Sequence, residues 1–109
     1  MERYSVRISE LANRDLRGIA AYITTQYSAP LAAAKKAKRL KEAINRKLSF
    51  MPQKYRQVNH YYLASKGYRR MNVENYIAFF TVDAGRKIVW VERVIHDARD
   101  WPRVLLEEA

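Results

Sequence analysis

The chain contains no cysteine. Disulfides, thiolate metal sites and a thiol nucleophile are therefore excluded, and the absence suits a reducing cytoplasm, the expected location. Histidine is nearly as scarce. His60 and His96 are the only two and lie far apart, so no metal-ligand spacing exists and neither a metal nor another cofactor is expected. The three glycines, Gly18, Gly67 and Gly85, form no G-x-G pattern, which removes the nucleotide-cradling loop. No apolar run approaches the roughly 20 residues needed to cross a bilayer, and the N-terminus shows no apolar signal core. The expectation is a soluble, unexported protein with no membrane partner. Repeats, low-complexity tracts and linkers are also missing, and 109 residues suffice for one core but not two, giving a single domain over residues 1–109.

Acidic residues are in short supply as well. Eleven Asp and Glu face twenty-one Lys and Arg, a formal charge of +10 on a chain that is 49% apolar. The apolar share rules out a disordered polar tail. The charge exceeds the magnitude of about 2–8 that solubility asks of a small domain, and it attracts polyanions or an acidic protein.

From Arg3 to Ser9 the side chains alternate, with Tyr4, Val6 and Ile8 on one side and Arg3, Ser5 and Arg7 on the other, which predicts a half-buried strand. Ser9 is a helix N-cap and Glu10 suits the positive end of the helix dipole. Leu16, Ile19, Ala20, Ile23 and Tyr27 then mark the apolar stripe of a helix over residues 10–27. Ser28-Ala29-Pro30 breaks the chain and starts a second helix, because proline is tolerated in a first turn. Its stripe runs through Ala33, Ala37, Leu40, Ile44, Leu48 and Met51 until Pro52 stops it. So short a break predicts an antiparallel helical hairpin. Residues 53–66 read as a loop with one short extended piece. Three strands follow over 68–75, 76–82 and 87–95, the last two joined by a turn at Asp83-Ala84-Gly85-Arg86 in which Gly85 is free to take a positive φ. A segment over 99–108 is expected to be helical past Pro102. The fold class is thus α+β, β-α-α-β-β-β, with the hairpin on one face of a small, mostly antiparallel sheet, the other face open, and a short helical tail.

Four segments, in this order, resemble the RelE/ParE superfamily of toxins from type II toxin–antitoxin systems: "DLRGIAAYI" (15–23), "RLKEAINRKLSFMP" (39–52), "GYRRMNVENYIAFFTVD" (67–83) and "IVWVERVIHDARDW" (88–101). The resemblance covers most of the chain. It implies growth inhibition, plasmid stabilisation and neutralisation by a small acidic antitoxin in a hetero-oligomer. One branch of the superfamily cuts mRNA in the ribosome; the other poisons DNA gyrase. In the ribonuclease branch an arginine follows the tyrosine that opens the middle strand, whereas here Ile77 follows Tyr76. Many of those nucleases also carry a late tyrosine, where this chain offers Trp101. The Gly67-Tyr68-Arg69-Arg70 start and the His96-x-x-Arg99-Asp100 ending look more like the ParE branch, so DNA gyrase is the favoured target.

The candidate target-binding residues are Arg69, Arg70, His96, Arg99 and Trp101. Arg69 and Arg70 point to opposite sheet faces, and Arg70 shares its face with Asn72 and Glu74. It reads either as a surface arginine paired with Glu74 or as part of a basic binding surface. His96 is a conceivable general base, with Arg70 and Arg99 stabilising phosphorane charge, if the protein is a ribonuclease acting on ribosome-bound mRNA. No second histidine offers an acid, however, and Asp100 can serve as a chain-end clamp to Arg99 or Arg103; the structural reading is favoured and no catalytic residue is assigned. The basic face of the second helix (Lys35, Lys36, Lys38, Arg39, Lys41, Arg46, Lys47) is either a solvated surface or a docking footprint. Tyr55, Tyr61, Tyr62 and Tyr68, interleaved with Lys54, Arg56, Lys66 and Arg69, fit base stacking, a protein-binding surface or a thin core equally. A third possibility beside gyrase poison and nuclease is a non-toxic nucleic-acid-binding module.

Overall fold

In the computed structural model, which describes residues 3–107, the chain runs β1 (Ser5–Ile8), α1 (Glu10–Tyr27), α2 (Pro30–Leu48), α3 (Tyr61–Ser65), β2 (Arg69–Val73), β3 (Tyr76–Asp83), β4 (Ile88–His96) and α4 (Trp101–Glu107). The four strands form one sheet in the order β1-β4-β3-β2. Both hairpin pairings are antiparallel, and only β1 runs parallel to its neighbour β4. This is the expected α+β architecture.

Ser9 ties strand, helix and sheet together. Its Oγ accepts from the Ala12 amide as the N-cap of α1 and donates to the Glu92 carbonyl, while its own amide donates to Val91. The joint falls where β4 is irregular: Phe79 faces Arg93 and Phe80 faces Val91, so Glu92 is an extra residue. Such a bulge bends a strand and re-aims the side chains beside it.

The hairpin of α1 and α2 packs on one sheet face, where Leu16, Leu40, Ile44 and Leu48 meet Met71, Phe80, Val89 and Val91. The opposite face is not open, as the strand pattern alone suggested. α3 and α4 cover it, and Leu63, Val104 and Leu105 close over Ile77, Phe79 and Ile95. This is why β3 is buried on both faces through Phe80, the pattern of a strand covered on two sides.

Several details depart from the sequence reading. The stripe of α2 ends at Leu48; Met51 lies beyond the helix and is exposed. Residues 53–66 hold a 3-10 turn (Pro52–Lys54) and α3, in place of a continuous loop. α4 begins at Trp101, ahead of Pro102, and Glu108 falls outside the described residues. Lys87, with φ 56, takes the left-handed position expected of Gly85. A chain with few glycines puts other residues there too: Ser28 ends α1, Met51 precedes the 3-10 turn and Glu74 turns β2 into β3, all with positive φ. Each such residue costs about 1–2 kcal/mol of backbone strain.

Candidate functional site

The first turns of α1 are locked to the sheet by a buried ion pair. The Asp15 carboxylate accepts from Arg93 Nε at 2.8 Å and Nη2 at 2.9 Å, and from the Val94 amide at 2.9 Å. Arg93 is only 6% exposed, and the two parallel donors of its fork match the carboxylate. Sequence reading missed this pair. The signal was present in a charged residue within the apolar run IVWVERVIH, which has to find a buried partner.

Beyond Asp15, α1 outruns the sheet. Its second half, with Gly18, Ile19, Tyr22, Ile23 and Tyr27, forms one wall of a groove of about 890 Å³. The facing walls come from Lys36 on α2, from Asn75 and Tyr76 at the β2–β3 turn, and from Val94 to His96 and Arg99 at the end of β4. Ile19 and Ile23 are half-buried, and Tyr22 and Tyr27 are exposed. The floor is therefore apolar and aromatic. The rim is cationic, with Arg14, Lys36 and Arg99, and the one carboxylate among the lining residues is Asp15, already held by Arg93.

Tyr76 anchors the groove. Lys36 Nζ stands 5.5 Å from its ring centre and the His96 ring packs edge-on at 5.3 Å. Burial first, then the nearby Glu74 and Tyr22, push its phenol above the ordinary value, so it stays protonated at neutral pH. His96 Nδ1 accepts from the Ala98 amide at 3.0 Å. A backbone amide is a fixed donor, so the neutral ring carries its proton on Nε2. Asp97 Oδ1, 3.4 Å from Nδ1, becomes a partner only for the protonated ring.

The five residues singled out from sequence lie in three places. His96 and Arg99 meet in the groove, where the Arg99 amide donates to the His96 carbonyl. Arg70 and Trp101 meet on the opposite sheet face: the guanidinium stands 5.5 Å from the indole centre, and the indole packs on Phe79. Arg69 bonds the carbonyls of Gln53 and Tyr55 and clamps the 3-10 turn to β2. Two expected pairings are replaced. Glu74 bonds Arg39 and Lys36 of α2, because it stands in the turn beyond β2, and Arg70 reaches Asn72 instead. Arg103 pairs with Glu107, one helical turn along α4, so it is not held by Asp100. Among the described residues no cluster of three or more acids or histidines is placed to hold a metal ion, and no helix is long and apolar enough to cross a membrane.

Fold and groove define a small α+β protein with an apolar, cation-rimmed groove at the end of its helical hairpin. The family model "ParE toxin of type II toxin-antitoxin system, parDE" matches residues 6–101. The chain belongs to this family of toxins. Among solved structures it resembles a chain of the chromosomal ParDE toxin–antitoxin system of P. aeruginosa, with a TM-score of 0.69 and 18% identity over 86% of this chain and 96% of that one. It also resembles a chain of the RelBE2 toxin–antitoxin complex of Mycobacterium tuberculosis, with a TM-score of 0.63 and 20% identity over 86% of this chain and 98% of the other. No curated protein matches.

Proposed function

We propose that this toxin acts by binding, as a DNA gyrase poison without chemistry of its own, and that a small acidic antitoxin neutralises it. The observation that carries the reading is the seat of Ile77. That is where the ribonuclease branch is similar in having an arginine, and here the side chain is 1% exposed beneath Val104 and Leu105 of α4. A guanidinium cannot reach a scissile phosphate from inside a closed apolar layer. The separation of Arg70 from His96 supports the same reading, since the sheet lies between them. The groove supports the protein partner: an apolar floor with a cationic rim suits an amphipathic acidic segment, whose charges speed docking and whose apolar side chains supply the affinity.

Induction of the toxin in growing cells tests the target. Double-strand breaks and a DNA-damage response are expected while bulk translation continues at first. His96→Gln is expected to leave toxicity nearly intact, because no proton transfer depends on the ring. A ribonuclease would lose roughly 10²-fold or more in rate from the same change. Purified protein that cut mRNA on ribosomes and lost that activity on His96→Gln would overturn the reading.

A further inference from the structure

The interleaved tyrosines and cations of residues 54–69 are sorted by the fold into two sets. Tyr55 packs edge-on against Phe80, and Tyr68 is half-buried under α3 and against the second core, so both are structural. Tyr61 is 92% exposed, and Tyr62 is half exposed with Lys66 Nζ 5.4 Å from its ring centre. Both stand on α3, which covers the same sheet face as Arg70 and Trp101.

Arg56 belongs to that face too. Its carbonyl accepts from the Arg70 amide, and Val58, two residues further along an extended stretch, is buried in the core beneath α3. The two arginines are thus backbone neighbours on one face, close enough for the charge of Arg56 to act on Arg70, and among the described residues neither pairs with a carboxylate. Arg70 uses a single donor, on Asn72 Oδ1. The contrast with its neighbour Arg69, which is held by two main-chain carbonyls, is direct. Burial and then the charge of Arg56 pull the Arg70 pKa below its ordinary value. Trp101 prevents Arg70 from folding away by holding the guanidinium plane over its ring.

We propose that Arg56 and Arg70, backed by Trp101, form a seat for a nucleic-acid phosphodiester, with Tyr61 and Tyr62 as stacking surfaces for the bases beside it. A phosphate between the two forks receives bidentate donors from each and removes their mutual repulsion. Exposed aromatics on the same sheet face favour a single strand, whose bases are free to stack. The seat lies across the sheet from the groove and does not depend on which protein the groove binds.

The test is titration of the purified toxin with labelled 20-nucleotide single-stranded DNA, its duplex, and single-stranded RNA of the same sequence, read by fluorescence anisotropy at several salt concentrations. Binding is expected to weaken as salt rises. Arg56→Ala and Arg70→Ala are each expected to weaken it roughly tenfold and to lower the salt slope by about 1. Lys41→Ala, which removes the same charge from α2, is expected to leave it unchanged. In a Trp90→Phe background Trp101 is the sole tryptophan, and its emission is expected to change on binding. Arg56 is exposed, so Arg56→Ala remains informative even if Arg70→Ala fails to fold. The preferred probe among the three identifies the natural strand. Equal losses from Lys41→Ala and Arg56→Ala, or no binding of any probe at low salt, would overturn the proposal, and either result leaves the gyrase experiment untouched.

Discussion

The two halves of α1 carry the same apolar stripe and meet different fates. Ala12 and Leu16 in the first half are buried against the sheet, and Asp15 beside them holds Arg93. Ile19, Ile23 and Tyr27 continue the stripe at the same spacing but line an open groove. Periodicity tells which side of a helix is apolar; it does not tell how far the surface beneath it extends. Here β4 ends at His96 while α1 continues, so the second half lines the groove proposed above as the seat of the acidic partner.

The largest blow to this comparison should come from Asp15→Ala. It takes the carboxylate away from a buried guanidinium and from the Val94 amide, and breaking a buried pair from one side costs about 3–5 kcal/mol. For a domain of this size each kcal/mol lowers Tm by roughly 4 °C or more, so calorimetry should show a fall of about 12 °C or more. Asp15→Leu with Arg93→Met should recover much of the loss, since an apolar pair of similar volume often replaces a buried ion pair without penalty. A double variant as unstable as the single one would show that the bond geometry itself is indispensable.

Leu16→Ala and Ile44→Ala come next. Each empties a fully enclosed site and should cost about 2–5 kcal/mol, against almost nothing for the exposed Lys41→Ala. In the second half of α1 the ranking should reverse. Ile23→Ala is expected to change stability by less than about 1 kcal/mol, because the side chain is already half solvated, yet to weaken capture of the acidic partner strongly. Equal destabilisation by Leu16→Ala and Ile23→Ala would erase the distinction between the halves.

How much of this was legible in the sequence follows the range of the interactions. The bounds of α1 and the start of α2 were readable because Ser9 and Pro30 act on their own neighbours, whereas α2 ends at Leu48, short of the Pro52 stop. The strands were readable from alternation and β-branched runs. α3 was not, since five residues complete barely one helical turn and leave no period to detect. The Asp15–Arg93 pair spans 78 positions, and only the fold brings its members together. The turn before β4 was legible as a turn but not in its details: Asp83 Oδ1 accepts the Arg86 amide, and the left-handed residue is Lys87, not Gly85. Of the site, the sequence pointed to His96 and Arg99 but not to the groove, whose far-wall residues Ile19, Ile23 and Tyr27 read as the core stripe of a helix.

The smallest expected effect concerns the clamp beside the groove. Glu74, at φ 54 between β2 and β3, accepts Arg39 Nε at 3.0 Å and Nη2 at 3.1 Å, with Lys36 Nζ at 3.3 Å. The hydrogen bonds from Arg39, opposed by partial burial and reinforced by Lys36, hold its pKa below the ordinary 4.5. A carboxylate with a lowered folded pKa adds stability that is fully present above the unfolded value and is lost as pH falls through the folded one. Glu74→Gln keeps the shape and removes the charge. Its Tm should therefore lie slightly below that of the natural chain at pH 7, and the gap should begin to close below about pH 4.5 and vanish at lower pH. Because the pair is largely exposed, the gap should also shrink in high salt. Lys36 then loses its carboxylate while still lining the groove, so the variant should capture an acidic partner faster at low salt, despite its lower stability. A gap that widened in acid would mean that Glu74 is held mainly by something other than Arg39 and Lys36, and slower capture would separate the clamp from the groove.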